Sequence, residues 1–292
     1  MNLAATHPPT SSFPVFAGSN LNAWQQTGLL AIPGGKGPLE HFRQDSLADP
    51  IVYAEFTSDL PQPRFGKRWR KAQAAEAQFW RTWRQNTLYK HISLEAFWQE
   101  VVEKTGGALP TGKVLDVGCG PVSVLNFCRP EDMQPFGVDP LAEVYARENL
   151  IECSEGLSPM PIAGLSAEKL PFVDGALDHV ICFNVLDHVS DAPAVLSEIR
   201  RVLKPGGSLR VYVHTFTSWI KRFLFFDTPH TYHWDHEEFK HLLGDAGFQV
   251  DHELKEPKTF DLPESLLGKL THFPYWVATK VAYTSYFRLR RD

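Results

Sequence analysis

Cysteines and long hydrophobic runs are scarce in this chain. Its 292 residues include four cysteines, and these show neither a C-x-x-C pair nor a zinc-finger spacing. We therefore expect reduced thiols and no disulfide framework, as is usual inside cells. The chain also lacks the run of about 18 apolar residues that a membrane-spanning helix needs. Residues 1–18 carry no basic segment followed by an apolar run, so no signal peptide is predicted. These absences predict a cytoplasmic protein.

Basic residues are not in excess either. The chain has 29 Lys and Arg against 34 Asp and Glu, a formal net charge of -5. Dedicated nucleic-acid-binding proteins are usually strongly basic, so this balance argues against that class. Hydrophobic residues make up 43% and charged residues 22%, which is typical of a globular protein. With a prior of roughly 150 residues per domain, we expect one catalytic domain with a substantial appendage.

The N-terminal part of the chain divides into two segments. Residues 1–60 show weak periodicity and contain Pro8-Pro9 and a glycine-rich run at 34–37, so we expect a poorly ordered or loop-rich segment. Residues 61–110 are predicted to form a basic and aromatic helical appendage. Between Arg64 and Lys90, eight basic residues accompany a single acid, Glu76.

Apolar residues of this appendage recur at spacings of three and four, as in an amphipathic helix. They are Trp69, Ala72, Ala75, Phe79, Trp80 and Trp83. One interpretation packs the aromatic side chains on the core and leaves the basic face in solvent. The other makes the helix a cationic lid over a phosphate-bearing or acidic substrate. A second helix is predicted over 94–103.

Residues 111–292 alternate short apolar runs with helical stretches, which indicates a parallel α/β sheet. Strands are predicted over 114–117, 136–138, 179–183, 208–213 and 248–254, with a last antiparallel strand over 276–281. Helices are predicted over 122–127, 141–149, 192–203 and 236–245. Asp191 is the expected N-cap of the third of these helices.

A glycine turn after the first strand is the strongest functional signal. The stretch from Val114 to Ser123 predicts a buried strand, then a turn that contains Gly118 and Gly120, then a helical segment. Glycines let a ligand approach the backbone closely, and ligands of open α/β sheets bind at the carboxyl ends of strands. Asp139 ends the next strand, where a carboxylate can accept the hydroxyls of a ribose. Because Ser123 replaces the third glycine of the dinucleotide fingerprint, NAD is not favoured.

These pieces, in this order, resemble the class I S-adenosylmethionine-dependent methyltransferases over about residues 112–256. The segments that carry the resemblance are 115–120, Asp139, 166–172, 178–184 and 203–207. The resemblance implies a Rossmann-like doubly wound α/β sheet with the N-terminal helical appendage and a cap after the fifth strand, near 216–236. It also implies S-adenosyl-L-methionine as cofactor and S-adenosyl-L-homocysteine as product.

The same resemblance implies a set of cofactor-binding residues. They are Asp116, Gly118, Cys119, Gly120, Asp139, Pro140, Ser166, Ala167, Glu168 and Asn184. Two residues depart from the family's pattern: Val122 stands where a third glycine is usual, and Ser166 stands where an Asp usually faces the adenine. A narrower similarity, to a bacterial subgroup often tied to polysaccharide biosynthesis, is carried by Phe79-Trp80, by the segment that begins at Asp139, and by 184–188.

Three histidines are candidates for the catalytic base. Methyl transfer from a sulfonium is an in-line displacement that depends mainly on proximity and alignment, while a hydroxyl acceptor also needs a general base. His188 follows the fourth strand beside Asp187 and is the first candidate, and His214 ends the fifth strand. The alternative is that His188 only orients a loop or contacts the cofactor.

The third candidate, His233, belongs to a cluster with His230, Tyr232 and His236. Imidazoles suit zinc or iron, so a metal site is one interpretation of this cluster. We favour an acceptor-site loop that precedes a helix, with Tyr232 and His233 near the substrate, and assign no metal ligand.

Several acceptors and partners remain open. We expect methylation of a small-molecule or sugar-type acceptor, which includes glycan or lipid-linked acceptors, and the aromatic residues indicate that part of it is apolar. The aromatic and basic runs at 219–226 and 273–291 leave contact with a membrane surface open. A nucleic-acid methyltransferase is an alternative motivated by the basic stripe. A non-catalytic methyltransferase-like binding module is another, motivated by Val122 and Ser166.

Overall fold

The computed structural model describes residues 66–85, 92–170, 172–221, 230–258 and 281–292. The expected loop-rich segment 1–60 and the apolar run that begins at 273 lie outside these residues, except for Val281. So does most of the aromatic run at 219–226. Within the described residues, no helix has the length and apolar character needed to cross a membrane.

A seven-stranded mixed sheet forms the centre of the protein. Its strands are β1 (Gly112–Val117), β2 (Met133–Val138), β3 (Ile162–Ala163), β4 (Leu177–Phe183), β5 (Leu203–Phe216), β6 (Phe248–Pro257) and β7 (Ala282–Arg291). The strand order is β3-β2-β1-β4-β5-β7-β6. Strands β1 to β5 pair in parallel, whereas β7 runs antiparallel to both β5 and β6. The predicted doubly wound sheet is confirmed, and its strand order reverses beside β1.

Five helices accompany the sheet in the described residues. They are α1 (Lys67–Thr82), α2 (Leu94–Lys104), α3 (Ala142–Arg147), α4 (Ala192–Val202) and α5 (His236–Asp245). Helix α4 shows why the sequence folds this way, because its residues at spacings of three and four, Val195, Leu196, Ile199 and Val202, are fully buried. The apolar stripe of an amphipathic helix therefore covers the sheet.

The helix predicted over 122–127 is wrong. The structure has only one 3₁₀ turn there, Val124–Asn126. The side-chain oxygen of Asn126 accepts from the Met160 N–H at 2.8 Å, and its amide donates to the Glu152 carbonyl at 3.2 Å. The Asn126 side chain thus forms hydrogen bonds with backbone groups of the loop before β3. These bonds hold the residue at the end of a short turn.

The antiparallel strand β7 lies beyond the segment in which the last strand was expected. Residues 276–280 of that segment lie outside the described residues, and Val281 lies in a turn. The sequence did not indicate β7 as a strand, because the charge of its arginines is typical of an exposed tail. Arg288 instead donates to the Gly106 carbonyl at 2.8 Å, and Arg291 donates to the Leu203 carbonyl. Backbone oxygens at the strand ends satisfy guanidinium groups that lie within the sheet.

Helices α1 and α2 are attached to the sheet by ion pairs and one buried hydrogen bond. Arg81 pairs with Glu148 at 2.7 Å, and Arg84 pairs with Glu152. The Trp98 indole donates to the Val122 carbonyl at 2.8 Å. These contacts hold the two helices over the carboxyl edge of the sheet, beside the turn that follows β1.

We expect Asp191→Ala to lower the free energy of unfolding by about 0.5–2 kcal/mol. The Asp191 carboxylate caps α4 by accepting the Ala194 N–H at 3.0 Å, and alanine leaves that donor without a side-chain partner. Urea unfolding of the purified protein measures the change. Asp191→Asn is the matched control, since an amide oxygen can still cap the helix; an equal loss in both variants would contradict the capping role.

Candidate functional site

Two glycines make the turn that follows β1. Gly118 and Gly120 have φ angles of 65° and 58°, which residues with a Cβ rarely adopt. A Cβ on Gly118 would lie 2.5 Å from Val185, so space as well as conformation requires glycine there. At Gly120 a Cβ would point into the gap below Trp80 of α1, 3.5 Å from its ring. Backbone and aromatic ring therefore face each other across a narrow space.

The Asp139 carboxylate ties this turn to the end of β2. One oxygen accepts from the Gly120 N–H at 3.0 Å, and the other accepts from the Leu141 N–H at 2.8 Å. The residue is 6% exposed, and this burial raises the pKa of Asp139 to about 6. Tyr145 also forms a side-chain hydrogen bond to this carboxylate. Since a carboxylate has about four acceptor positions, one remains for a hydroxyl of a ligand.

Asp116 occupies a different place from the one expected. It is buried behind the turn, where it accepts a hydrogen bond from the Ser123 hydroxyl at 2.6 Å. Burial raises the pKa of Asp116 to about 7. Asp116 is absent from the residues that line the pocket described next, so it supports the turn from below.

A pocket of about 300 Å³ opens at the carboxyl edge of β1, β2 and β4. Nine of the expected cofactor-binding residues line it: Gly118, Cys119, Gly120, Asp139, Pro140, Ser166, Ala167, Glu168 and Asn184. On the opposite side lies an aromatic roof, which we define as Trp69, Phe79, Trp80, Trp83, Phe97 and Trp98. Sequence analysis identified aromatic residues in this appendage but did not place them over the glycine turn.

Two polar side chains in the pocket differ in their availability. The Ser166 hydroxyl donates to Glu168 at 2.8 Å, and Glu168 also accepts from the backbone and hydroxyl of Ser190. Asn184, at the end of β4, has a φ of 58°. Its buried side-chain oxygen has no hydrogen-bond partner among the described residues. Because leaving such an atom unsatisfied costs about 1–3 kcal/mol, this oxygen is an acceptor for a ligand donor.

The histidine candidates separate by location. His188 lines the pocket, whereas His214 and His233 do not. The His214 ring faces Thr284, with its Nδ1 3.2 Å from the hydroxyl, and burial together with the charges of Lys258, His230 and His188 holds the pKa of His214 well below its usual value. His214 is thus a neutral side chain packed beside the pocket.

The cluster at 230–236 precedes α5, as expected, but its members diverge. Tyr232 donates its hydroxyl hydrogen to the Ser190 carbonyl at 3.1 Å, away from the pocket. His236 is buried between Ser285 and Glu253, at 2.8 and 2.7 Å. His230 lies against His188, with ring centroids 4.5 Å apart. Only the first histidine of the cluster therefore comes close to His188.

Comparison with known proteins agrees with this geometry. Residues 115–211 match a family described as a methyltransferase domain. Over these residues the chain contains a methyltransferase domain. An uncharacterized methyltransferase of Schizosaccharomyces pombe is 38% identical over 106 residues, 33% of this chain and 38% of that protein. A ubiquinone biosynthesis O-methyltransferase of Cronobacter sakazakii is 31% identical over 122 residues, 42% of this chain and 47% of that protein.

The chain therefore spans less than half the length of these two relatives. Among solved structures, that of the [4+2]-cyclase SpnF aligns with a TM-score of 0.51 and 21% identity, covering 68% of this chain and 80% of SpnF. At this identity the likeness shows the fold. A putative methyltransferase of Bacillus halodurans aligns with the same TM-score of 0.51 at 18% identity, covering 68% of this chain and 99% of that one, and these likenesses confirm the predicted Rossmann-like class I methyltransferase fold.

The pocket of this methyltransferase domain fits S-adenosylmethionine, the cofactor of the family. Asp139 retains an acceptor position for a ribose hydroxyl, and the unpartnered Asn184 oxygen suits a donor such as the cofactor's amino group. A Cβ on Gly120 would lie 3.5 Å from the Trp80 ring, an ordinary contact, so Trp80 covers the turn closely. Val122, the first departure from the pattern, is 6% exposed and packs with Trp98 and Cys119, and the pocket stays open beside it.

We expect the cofactor-free protein to lose stability as the pH rises from about 5 to 7. The pKa values of Asp116 and Asp139 lie above those of an unfolded chain, so the folded state retains protons that the unfolded state releases. Between its pKa in the unfolded chain and its higher pKa in the folded protein, each carboxyl group lowers the free energy of unfolding by about 1.4 kcal/mol per pH unit.

Asp116→Asn should reduce this slope, because an amide still accepts from Ser123 and does not ionise. Urea unfolding at pH 5, 6, 7 and 8 measures the slopes in both proteins. Asp132→Asn, at an exposed position before β2, is the control and should keep the original slope. Identical slopes for all three proteins would contradict the expected ionisation of Asp116.

Proposed function

We propose that this protein transfers a methyl group from S-adenosylmethionine to a small-molecule acceptor. The observation that carries the proposal is a single pocket lined by two chemically different groups of residues. One group is the glycine turn, Asp139 and the unpartnered Asn184 oxygen. The other is His188 with the aromatic side chains of Phe183 and Tyr212. We place the cofactor at the first group and the acceptor at the second, which we call the acceptor end.

The aromatic roof supports the cofactor assignment. Trp80 lies above Gly120, and its indole N–H donates to Glu76 at 2.9 Å. A tryptophan ring attracts cations by about 0.5–2 kcal/mol, and a sulfonium is a cation. The roof would therefore favour the charged substrate S-adenosylmethionine over its neutral-sulfur product.

The acceptor end indicates the chemical class of the substrate. Phe183, Tyr212 and Trp98 form a mostly apolar wall, with ring centroids 5.3 Å apart for the first pair and 6.1 Å for Phe183 and Trp98. Such a wall suits a planar or hydrocarbon part of a ligand. We therefore place a hydroxylated acceptor with an apolar portion here, which includes lipid-linked acceptors.

The reaction follows from this arrangement. The acceptor oxygen attacks the methyl carbon in line with the carbon–sulfur bond, which breaks with its electron pair moving to sulfur. The protein contributes alignment and the exclusion of water by the aromatic roof. His188, next to Asp187, is placed to assist loss of the acceptor's proton.

Nucleic acid is a less suitable acceptor for this site. Two of the basic side chains that motivated it, Arg81 and Arg84, are engaged by Glu148 and Glu152. The pocket lining is dominated by apolar surface. Neither feature provides the free basic groups that bind phosphates.

We expect S-adenosylhomocysteine to bind with micromolar affinity and Asp139→Ala to weaken this binding at least tenfold. The substitution removes the acceptor of a ribose hydroxyl and releases the turn at Gly120. Isothermal titration calorimetry measures both affinities. Asp132→Ala, at the other end of β2, is the matched control; absence of binding to the unchanged protein would overturn the proposed function.

We expect His188→Ala to lower kcat for a hydroxyl acceptor by about 10²–10⁴-fold, with the affinity for S-adenosylhomocysteine changed less than threefold. A screen of hydroxylated aromatic and prenylated compounds, monitored by S-adenosylhomocysteine release, supplies the acceptor. His241→Ala, exposed on α5, controls for removal of an imidazole. Unchanged turnover in His188→Ala would exclude this residue from the reaction.

A further inference from the structure

We propose that Asp187, His188 and His230 bind a first-row divalent cation of the zinc or iron(II) type at the acceptor end of the pocket. The proposal rests on the proposed function and specifies how that site prepares its acceptor. It assigns a metal where the sequence analysis assigned none, because His230 and Asp187 come together only in the folded protein.

The donor atoms have the spacing of an open metal site. His188 Nε2 lies 3.9 Å from one Asp187 oxygen, and His230 Nε2 lies 3.8 Å from the other. One donor atom from each of the three residues can be chosen so that all lie within 4.8 Å of one another. A tetrahedral ion with bonds of about 2.0–2.2 Å separates its ligand atoms by about 3.3–3.6 Å. The two contacts to Asp187 would therefore contract by a few tenths of an ångström, and no pair of donor atoms by more than about 1.5 Å, to close the site.

Asp187 is the independent sign that something binds here. Its side chain is 3% exposed, yet one of its carboxylate oxygens has no hydrogen-bond partner in the described part of the chain. Burying a carboxylate costs free energy unless hydrogen bonds or an opposite charge compensate for the lost water. The two imidazoles stand too far away for hydrogen bonds, and Lys258 interacts with Asp187 only electrostatically among the described contacts. A bound cation would supply the missing partner.

The backbone of Asp187 also fixes the third ligand. Its carbonyl accepts from the Thr231 N–H at 2.6 Å and from the Tyr232 N–H at 3.3 Å. The carbonyl of His230 accepts from Arg68 of α1 at 3.0 Å. His230 is thus held from both sides and directed toward the loop after β4, so the site is preorganised.

The donor set favours one class of metal. Two imidazoles and one carboxylate suit zinc, iron(II) and their first-row neighbours, whereas magnesium and calcium prefer oxygen ligands. Three protein ligands leave coordination positions open, as catalytic sites do. Because His188 also lines the pocket, an acceptor oxygen can reach such a position.

Two nearby groups act against a cation. Lys258 interacts electrostatically with Asp187, and His214 lies close to both ligand histidines. Burial lowers the pKa of each, and removing the amine would remove its repulsion of the metal. We expect Lys258→Met to tighten binding of the metal severalfold.

A bound cation gives the reaction a balanced route. Coordination lowers the pKa of the acceptor hydroxyl, whose proton leaves to solvent. The oxygen then forms a bond to the methyl carbon, and the electrons of the carbon–sulfur bond remain on sulfur as S-adenosylhomocysteine forms. One proton is released per methyl group transferred. The metal then activates the hydroxyl in place of His188, which serves as a ligand.

The test is calorimetric titration of the chelator-treated protein with Zn²⁺, repeated with Mg²⁺. We expect one Zn²⁺ per chain with micromolar or tighter affinity, and much weaker Mg²⁺ binding. His230→Ala and Asp187→Asn should each weaken Zn²⁺ at least tenfold. His233→Ala is the matched control, because its ring lies 6.0 Å from that of His230 but outside the donor set.

Binding of S-adenosylhomocysteine by each variant shows that the variant is folded. A protein that binds S-adenosylhomocysteine but not Zn²⁺ would overturn the metal site and leave the proposed function intact. Zn²⁺ binding without S-adenosylhomocysteine binding would support the metal site and overturn the proposed function. Equal losses of Zn²⁺ in His230→Ala and His233→Ala would overturn the assignment of ligands.

Discussion

The buried Asp139 carboxylate is the constraint on which the rest of the site depends. Its two oxygens join the Gly120 and Leu141 backbone N–H groups, one after β1 and one after β2. This bridge fixes the glycine turn at the point where the strand order reverses. The raised pKa of Asp139 shows the cost of burying an acid there, and hydrogen bonds to a bound ribose would offset part of that cost.

The second determinant is the attachment of α1 and α2 above this turn. The pairs Arg81–Glu148 and Arg84–Glu152 act with the buried bond from Trp98 to the Val122 carbonyl. Exposed ion pairs are individually weak, so the buried aromatic contacts supply most of the attachment. The roof then turns an open sheet edge into a pocket that excludes water from a displacement reaction.

The third determinant is the loop after β4. Asn184 and His188 belong to the same short stretch, so in the proposed function one segment would contact the cofactor at its start and the acceptor at its end. Asp187 between them holds the 230–232 backbone through its carbonyl. Cofactor, acceptor and the proposed cation would thus be coupled through a single loop, which explains why so many polar atoms are concentrated there.

The sequence by itself determined the parallel sheet, the helices α4 and α5, the glycine turn and Asp139, because buried strands, caps and turns leave patterns within a few residues. It did not place the last strand, since the arginines of β7 are satisfied by carbonyls of distant segments. Nor did it place the aromatic roof over Gly120, or distinguish Asp116 behind the turn from the residues that line the pocket. Only the tertiary structure decided that His230, and not His233, meets His188 and Asp187, because packing between segments far apart in the chain sets those distances.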